Sequence, residues 1–231
     1  MNLSKRLQKI VDFVPKDTKV CDIGTDHGYI PVYLIKSHIS KQVIATDISK
    51  GSLDKIIDLV EKEKLEDSID MRLGDGLDII SPHEVETLII AGMGGILISE
   101  ILEKDKDITR TIKNFIFQPM VGGEELRKYL TENNFQIVDE ELIFEDGKYY
   151  EIIFAREGEQ EIKKDIYYEI SEILIKKGHP LLESFVEYKK NKLKNIMKEI
   201  EFIETEKSKD RYNQLKLKLD KYREVLKEFV S

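Results

Sequence analysis

The chain has 231 residues, enough for one α/β domain and a modest helical appendage. Apolar residues make up 41% of it and no hydrophobic signal core opens it, so we expect a folded cytoplasmic protein without a membrane span. The formal charge of −8 argues against a strongly basic nucleic-acid binder, although residues 158–231 are weakly basic. The single cysteine, Cys21, excludes a disulfide framework, and the four histidines show no metal-ligand spacing, so we expect no metal.

A short amphipathic helix is predicted at the start of the chain. Apolar residues recur at helical spacing over residues 3–14, and the pattern stops at Pro15. The polar face of this helix carries Lys5, Arg6 and Lys9. The helix therefore combines a packing face with a cationic face.

Short β-like runs alternate with helical patterns over the next hundred residues. The β-like runs cover residues 19–22, 42–47, 69–73, 87–91 and 114–118. The helical stretches lie near residues 29–38, 50–64, 94–104 and 122–132. This alternation predicts a parallel sheet covered by helices on both faces.

Two further strands form a predicted hairpin. Residues 135–144 and 148–155 are joined by a segment that contains Asp146-Gly147, a preferred tight turn, so this pair is antiparallel. Five parallel strands closed by an antiparallel hairpin is the arrangement of class I methyltransferases. We therefore predict an α/β, Rossmann-like domain of this class over residues 1–157.

The remainder of the chain, residues 158–231, is helical in pattern. Two heptad-like apolar seams consist of Leu193, Ile196, Ile200 and Ile203, then Tyr212, Leu215, Leu219, Tyr222, Leu226 and Phe229. The polar residues 205–210 separate the seams, which predicts an antiparallel coiled-coil hairpin. The alternative is one long helix that dimerises through a continuous coiled coil. The oligomeric state is open, with a monomer favoured.

The first turn of the predicted sheet carries the strongest chemical signal. An apolar strand ends at Asp22 and Gly24, where the backbone can approach a ligand closely, and a helix follows whose N-terminus favours a carboxylate. Asp22 would accept the ammonium group of the methionine part of S-adenosylmethionine. Glycines at 24 and 28 with Asp26 and His27 between them do not match the dinucleotide spacing G-x-G-x-x-G. An ordinary glycine turn is the alternative.

The other strand ends carry weaker signals for the same ligand. Asp47 ends the second strand, where a carboxylate binds ribose hydroxyls, and we assign Ile48 beside it to the same cofactor. Residues 74–76 offer a group to the adenine amine. Three glycines within residues 91–95 are explained better by a closely approaching ligand than by packing. Gln118 offers a donor and an acceptor to a flat base.

These motifs occur together in a known order. They are Leu3-Ser4-Lys5-Arg6-Leu7, Asp22-Ile23-Gly24-Thr25-Asp26-His27-Gly28-Tyr29-Ile30-Pro31, Arg72-Leu73-Gly74-Asp75-Gly76-Leu77, Ile90-Ala91-Gly92-Met93-Gly94-Gly95, Gln118-Pro119 and Gly147-Lys148-Tyr149-Tyr150-Glu151-Ile152-Ile153. With them the sequence resembles bacterial tRNA (adenine-22-N1)-methyltransferases nearly end to end.

The resemblance implies S-adenosyl-L-methionine as cofactor, S-adenosyl-L-homocysteine as its product, tRNA as partner and N1 of an adenine as methyl acceptor. It also implies the residues that contact or border the cofactor, namely Asp22, Gly24, Asp26, His27, Asp47, Asp75, Gly76, Ala91, Gly92 and Met93. Asp26 is the leading catalytic candidate and His27 the second. A carboxylate at Asp26 would stabilise the positive charge that develops on the adenine ring.

The same resemblance sets expectations for the substrate. N1 lies on the pairing edge, so the base must be unpaired or extruded, and Tyr29 is a candidate stacking partner. The cations expected to contact the RNA backbone are Lys5, Arg6 and Lys9 on the first helix and Lys189, Lys190, Lys192, Lys194 and Lys198 on the tail.

Two other functions are compatible with the sequence. The acidic body would suit a small-molecule methyltransferase whose tail only dimerises. The third hypothesis is a non-enzymatic coiled-coil adaptor with a degenerate cofactor pocket. The carboxylates and glycines present at every expected loop argue against the adaptor.

Overall fold

The structure is a computed structural model that describes residues 2–203 and 205–230. The chain forms two compact units, Met1–Glu161 and Ile162–Ser231. We placed the division after residue 157. The first unit runs further because the Ile137 backbone N–H donates to Gln160 Oε1 at 2.7 Å, which ties this segment to the sheet.

The first unit is a seven-stranded sheet with helices. Its strands are β1 Val20–Ile23, β2 Val43–Asp47, β3 Ile69–Leu73, β4 Thr87–Gly94, β5 Asn114–Val121, β6 Phe135–Glu145 and β7 Lys148–Glu157. Its helices are α1 Lys5–Asp12, α2 Tyr29–Lys36, α3 Lys50–Glu63, α4 Gly95–Lys104, α5 Lys106–Thr109 and α6 Gly123–Glu132. The spatial order is β3-β2-β1-β4-β5-β7-β6. The first five strands are parallel and β7 is antiparallel to β5 and β6, so the predicted fold class is confirmed.

The hairpin between β6 and β7 turns as its sequence predicts. Asp146 and Gly147 both have positive φ, 49° and 74°, as a two-residue type I′ turn requires. The flanking residues Glu145 and Lys148 are paired across the hairpin. The predicted antiparallel closure is therefore confirmed at the level of the turn.

Two strands are longer than predicted. We ended β4 at Ala91 and β5 at Gln118, but pairing continues to Gly94 and Val121 with irregular register around Met93. Gly92 and Gly94 thus belong to a strand rather than to a turn after it. Each extension is stabilised by the other strand, and no pattern within either segment reveals that pairing. Helix α5 was also missed, since four residues are too few for a periodic signal.

Helix α1 packs across one face of the sheet. It begins after Ser4, whose Oγ accepts a hydrogen bond from the Leu7 backbone N–H at 3.3 Å. Ile10 and Val11 are fully buried against sheet residues that include Ile116 of β5. This packing holds the first turn of α1 in place on the first unit.

The second unit consists of helices. They are α7 Ile166–Glu169, α8 Glu172–Lys176, α9 Leu182–Ile200 and α10 Glu206–Val230. Helices α9 and α10 fold back on each other as the predicted hairpin, so a single continuous helix through this region is wrong. Among the described residues, no helix is long and apolar enough to cross a membrane. The side chain of Phe229, which we placed in the second seam, lies outside the described residues.

The break between the two long helices lies earlier than predicted. We assigned residues 205–210 to the connection, but α10 already begins at Glu206. Thr205 caps it, because its Oγ1 accepts a hydrogen bond from the Ser208 backbone N–H at 3.2 Å. The polar residues after Thr205 are therefore an exposed first turn of a helix and not a loop.

One buried carboxylate joins the helices of the second unit. Glu169 of α7 accepts a hydrogen bond from the Tyr222 hydroxyl and pairs with Lys218, whose Nζ lies 2.7 Å from Glu169 Oε1. The backbone carbonyl of Glu169 accepts from Lys189 Nζ at 2.7 Å. Lys189 is thereby part of the internal structure of the tail.

Candidate active site

A cavity of about 570 Å³ opens at the carboxyl edge of the sheet. Residues predicted from the sequence that line it are Arg6, Asp22, Gly24, Asp26, His27, Tyr29, Asp47, Ile48, Asp75, Gly76, Ala91, Gly92 and Met93. Its apolar wall also includes Leu7, Leu97 and Ile101, which the sequence analysis missed. In the sequence, apolar residues at helical spacing predict packing against the core. Only the packing of α1 and α4 shows that these three side chains face a cavity.

Asp22 is the buried acidic group of the cavity. Its side chain lies at the end of β1 and is 3% exposed. Burial is the main cause that raises the pKa of Asp22 to about 7, and the neighbouring charge of Asp47 contributes to this rise. A cation that enters the cavity would favour the ionised form, so this carboxyl is suited to bind an ammonium group.

Gly24 lies where two loops meet. Its φ is +70°, and a Cβ at this position would lie 2.3 Å from Met93 Cε. Its backbone N–H donates to the Thr46 carbonyl at 2.9 Å, which holds the turn against β2. The backbone angle favours glycine here, whereas the Met93 methyl group ends a flexible side chain that can move aside.

Asp26 stands at the mouth of the cavity with a more exposed side chain. It has the left-handed φ of +50°, and its carboxylate lies 3.2 Å from His27 Nε2 and 3.6 Å from Lys55 Nζ. Ser52 Oγ lies at the hydrogen-bond limit of 3.5 Å. Lys55 and Ser52 belong to α3 and had no signal in the sequence. Asp26 is thus held from two sides while 59% of its side chain faces solvent.

Asp47 connects the two loops that border the cavity. Its Oδ2 accepts from the Asp26 backbone N–H at 3.3 Å, and its Oδ1 accepts from the Ser49 backbone N–H at 2.8 Å. Ile48 follows it with 69% of its surface exposed. In the loop after β3, Asp75 pairs with Lys104 Nζ at 3.3 Å. Acidic groups therefore line the cavity from β1 to β3.

The glycines of residues 91–95 have two different roles. Gly92 has φ +84° and open space where a Cβ would stand, which suits the close approach of a ligand. Gly95 packs instead against the backbone of the β5–α6 connection, since a Cβ there would lie 1.9 Å from the Gly122 carbonyl oxygen. The prediction that a ligand explains these glycines better than packing is therefore wrong for Gly95.

Arg6 reaches the cavity from α1 and is held by two residues of the sheet. Its Nη1 donates to Gln118 Oε1 at 2.5 Å, and its guanidinium lies 5.3 Å from the centre of the Tyr150 ring. Gln118 is fully buried, and its Nε2 donates to the Pro119 carbonyl at 2.9 Å. Gln118 is not among the described residues that line the cavity, its amide contacts Arg6, and its contact with a base stays a prediction.

Comparison with known proteins agrees with this geometry. A methyltransferase-domain family matches residues 3–153. A tRNA (adenine(22)-N(1))-methyltransferase of Bacillus subtilis strain 168 is 37% identical over 165 residues, which is 71% of this chain and 69% of that protein. The chain belongs to this methyltransferase family.

Solved structures extend the similarity over the whole methyltransferase. The B. subtilis m1A22 tRNA methyltransferase superposes with a TM-score of 0.89 at 31% identity, covering 97% of this chain and 98% of that one. A Streptococcus pneumoniae protein solved in complex with S-adenosyl-L-methionine gives a TM-score of 0.88 at 29% identity, covering 97% and 100%. The helical tail is therefore shared with these proteins as well as the sheet.

Tyr29 and His27 form an aromatic pair at the entrance of this methyltransferase's cavity. Their ring centroids lie 5.4 Å apart with an interplanar angle of 24°. Tyr29 is 44% exposed, so it does not pack in the core. An exposed stacked pair of this kind presents a flat surface beside Asp26.

The lysines predicted to contact RNA differ in their solvent exposure and in their partners. Lys5 is exposed at the start of α1, outside the cavity lining, and its backbone N–H donates to Glu145 Oε1 at 2.7 Å. Lys190 pairs with Glu187, and only 12% of its side chain is exposed. Lys192 is exposed and lies with Nζ 4.7 Å from the centre of the Tyr188 ring.

The tail prediction needs one correction. Lys189 is not part of a solvated cationic face, because its Nζ is bonded to the Glu169 carbonyl. Lys192, Lys194 and Lys198 are the exposed lysines of this helix, and their contact with RNA stays a prediction. The residues that the structure describes contain no cluster of His, Cys, Asp and Glu that could hold a metal ion.

Proposed function

We propose that this methyltransferase transfers a methyl group from S-adenosyl-L-methionine to N1 of adenine 22 in tRNA, as the name of its B. subtilis relative states for that protein. The observation that carries the proposal is the acidic cavity, in which buried Asp22 and Asp47 lie behind a solvent-exposed Asp26. We place the activity in the cytoplasm, as the sequence predicts.

The donor groups of the cavity fit this cofactor. Asp22 suits the ammonium group, and the first turn of α2 offers backbone N–H groups to the carboxylate. Asp47 suits the ribose hydroxyls, and Ile48 offers an apolar surface to the adenine. The cavity of about 570 Å³ lies within the range usual for small-molecule sites. S-adenosyl-L-homocysteine would occupy the same groups after the reaction.

The residues at the mouth of the cavity are suited to hold the adenine base and to stabilise its developing charge. When bound, S-adenosyl-L-methionine would supply a methyl group on a positively charged sulfur, so that an N–C bond to adenine N1 forms as the C–S bond breaks and S-adenosyl-L-homocysteine leaves. The adenine N1 needs no proton removed, so the protein chiefly has to hold the base in line. Asp26 stabilises the positive charge that the ring acquires, and His27 and Lys55 keep its carboxylate in position. Tyr29 gives an extruded base a surface for stacking.

The test supplies one labelled methyl donor to two acceptors at once. The protein is incubated with S-adenosyl-L-methionine carrying a labelled methyl group, unmodified tRNA and a small-metabolite extract, and the label is followed into each fraction. We expect label in tRNA. Label in a metabolite fraction and none in tRNA would instead establish the small-molecule methyltransferase that the acidic body also suits.

A further inference from the structure

Arg6 is the one arginine or lysine among the described residues that line the cavity. Every other charged group there is an aspartate, apart from the titratable His27. Arg6 has no carboxylate partner among the described residues, and it contacts two neutral groups, the Gln118 amide and the Tyr150 ring. A half-buried cation held by two neutral groups has donors left over for a negatively charged ligand.

We propose that Arg6 binds a backbone phosphate of the nucleotide that carries the methyl-accepting base, and that Gln118 and Tyr150 position its guanidinium for this contact. The proposal rests on the proposed function and adds to it the residue that recognises the substrate chain inside the cavity. The guanidinium fork matches phosphate oxygens in pairs, which a lysine cannot do.

The order of the strands favours the substrate over the cofactor as the ligand of Arg6. The groups suited to adenosine lie at the carboxyl ends of β2 and β3, and Asp22 lies on β1. Gln118 and Tyr150, which hold Arg6, lie on β5 and β7, beyond β4. Since neighbouring strands are about 4.8 Å apart, β5 is roughly 10 Å from β1. Arg6 therefore enters the cavity from the side opposite to adenosine.

Charge decides which part of the nucleotide Arg6 can bind. Methylation at N1 makes the adenine ring positive, so an arginine against the ring edge would oppose the reaction. Asp26 is the group with the right sign for the ring. The phosphate is the negative part of the nucleotide, and a cation bound to it anchors the base without opposing the charge that develops on the ring.

The first experiment measures two affinities separately for Arg6→Gln. Affinity for unmodified tRNA is measured as a function of salt, and affinity for S-adenosyl-L-homocysteine is measured by calorimetry. The matched control is Lys41→Gln, which removes a cation whose side chain is 87% exposed. Lys41 lies just before β2, at the amino ends of the parallel strands and away from the cavity at their carboxyl ends.

We expect Arg6→Gln to weaken tRNA binding about tenfold, the effect of one charge-assisted contact. The magnitude of the slope of log affinity against log salt should decrease by about one, as expected for the loss of one phosphate contact. The S-adenosyl-L-homocysteine affinity should stay within about twofold. Normal S-adenosyl-L-homocysteine binding also shows that the variant is folded. Lys41→Gln should match the unmodified protein in both measurements.

Two results would overturn the proposal. A loss of S-adenosyl-L-homocysteine affinity with unchanged tRNA binding would assign Arg6 to the cofactor's carboxylate. Unchanged affinity for both ligands would leave Arg6 with a structural role. Neither result touches the proposed function, which fails only if the unaltered protein does not form 1-methyladenosine at position 22 of tRNA.

The positioning role is tested on the two partners of Arg6. Tyr150→Phe keeps the ring under the guanidinium, whereas Tyr150→Leu removes the ring and Gln118→Leu removes the amide. We expect Tyr150→Phe to retain tRNA affinity and both leucine variants to lose it several-fold, with S-adenosyl-L-homocysteine affinity unchanged. Leucine variants that bind tRNA like the unaltered protein would show that neither residue positions Arg6.

Discussion

At the scale of single residues, Asp22 at the end of β1 and Asp26 in the loop after it lie in opposite environments. Asp22 is buried, and its pKa is raised to about 7. Asp26 is more than half exposed and is paired with His27 and Lys55. The first is suited to recognise a positive charge already present on the cofactor. The second is suited to a positive charge that appears during the reaction.

The raised pKa of Asp22 makes cofactor binding depend on pH. Below about pH 7 the free protein holds Asp22 mainly protonated, so binding of an ammonium group must expel a proton. We expect the affinity for S-adenosyl-L-homocysteine to fall about tenfold per pH unit below this value and to level off above it. Calorimetry over about pH 5.5 to 8 measures it, and Asp22→Asn should bind weakly without this dependence. A flat profile in the unaltered protein would contradict the assignment.

Asp26 can be tested without disturbing its backbone. Its φ of +50° is tolerated by asparagine, whereas alanine would add about 1–2 kcal/mol of strain. We therefore choose Asp26→Asn, which removes only the charge. We expect kcat for tRNA methylation to fall about a hundredfold or more, with S-adenosyl-L-homocysteine affinity little changed. Steady-state kinetics with an unchanged kcat would refute a catalytic role for Asp26.

At the scale of elements, the joined ends of β4 and β5 shape the cavity wall. Pairing of Gly94 with Val121 carries both strands past the point where we ended them, and Gly95 then begins α4 against the Gly122 backbone. The polypeptide passes close to itself here, and Gly92 is left beside the cavity with open space at its Cα. The same short segment is therefore both a packing contact and a candidate ligand surface.

Two alanine substitutions separate these roles. Gly95→Ala would place a methyl group 1.9 Å from a backbone oxygen, and we expect the free energy of unfolding to fall by about 3 kcal/mol or more. Gly92→Ala meets no atom within 4 Å, so only the strain of φ +84°, about 1 kcal/mol, is expected. Urea denaturation compares the two. A Gly95→Ala protein as stable as the Gly92→Ala protein would contradict this account of the contact.

The exposed lysines of α9 give a test of the tail. Lys192, Lys194 and Lys198 are solvent-exposed, so reversing their charge leaves the internal bond of Lys189 intact. We expect the triple glutamate variant to bind tRNA more weakly and with a smaller salt slope. Its circular dichroism and S-adenosyl-L-homocysteine affinity should be unchanged. Unaltered tRNA binding would show that this face does not contact RNA.

At the scale of the whole molecule, the sequence predicted what local patterns encode. Alternating strands and helices and the Asp146-Gly147 turn were read correctly because their signals lie within a few residues. Asp22, Asp47 and Asp75 were placed together because parallel strands bring their carboxyl ends to one edge.

Contacts between distant segments could not be predicted in this way. Arg6 appeared on a cationic surface, and only the packing of α1 over the sheet shows that it faces the cavity. Gln118 was assigned to a base, yet its amide is occupied by Arg6 and Pro119. Lys189 was assigned to RNA because the sequence does not reveal its internal partner. That partner, the carbonyl of Glu169, lies twenty residues away in the sequence. Spacing along one element cannot reveal a partner on another.

The most direct test of the central claim is the identity of the methylated nucleoside. Unmodified tRNA and a variant with guanosine at position 22 are incubated with the protein and S-adenosyl-L-methionine, digested and examined by mass spectrometry. We predict 1-methyladenosine from the first tRNA and none from the second. Another methylated nucleoside, or 1-methyladenosine from both, would contradict the proposed reaction at adenine 22.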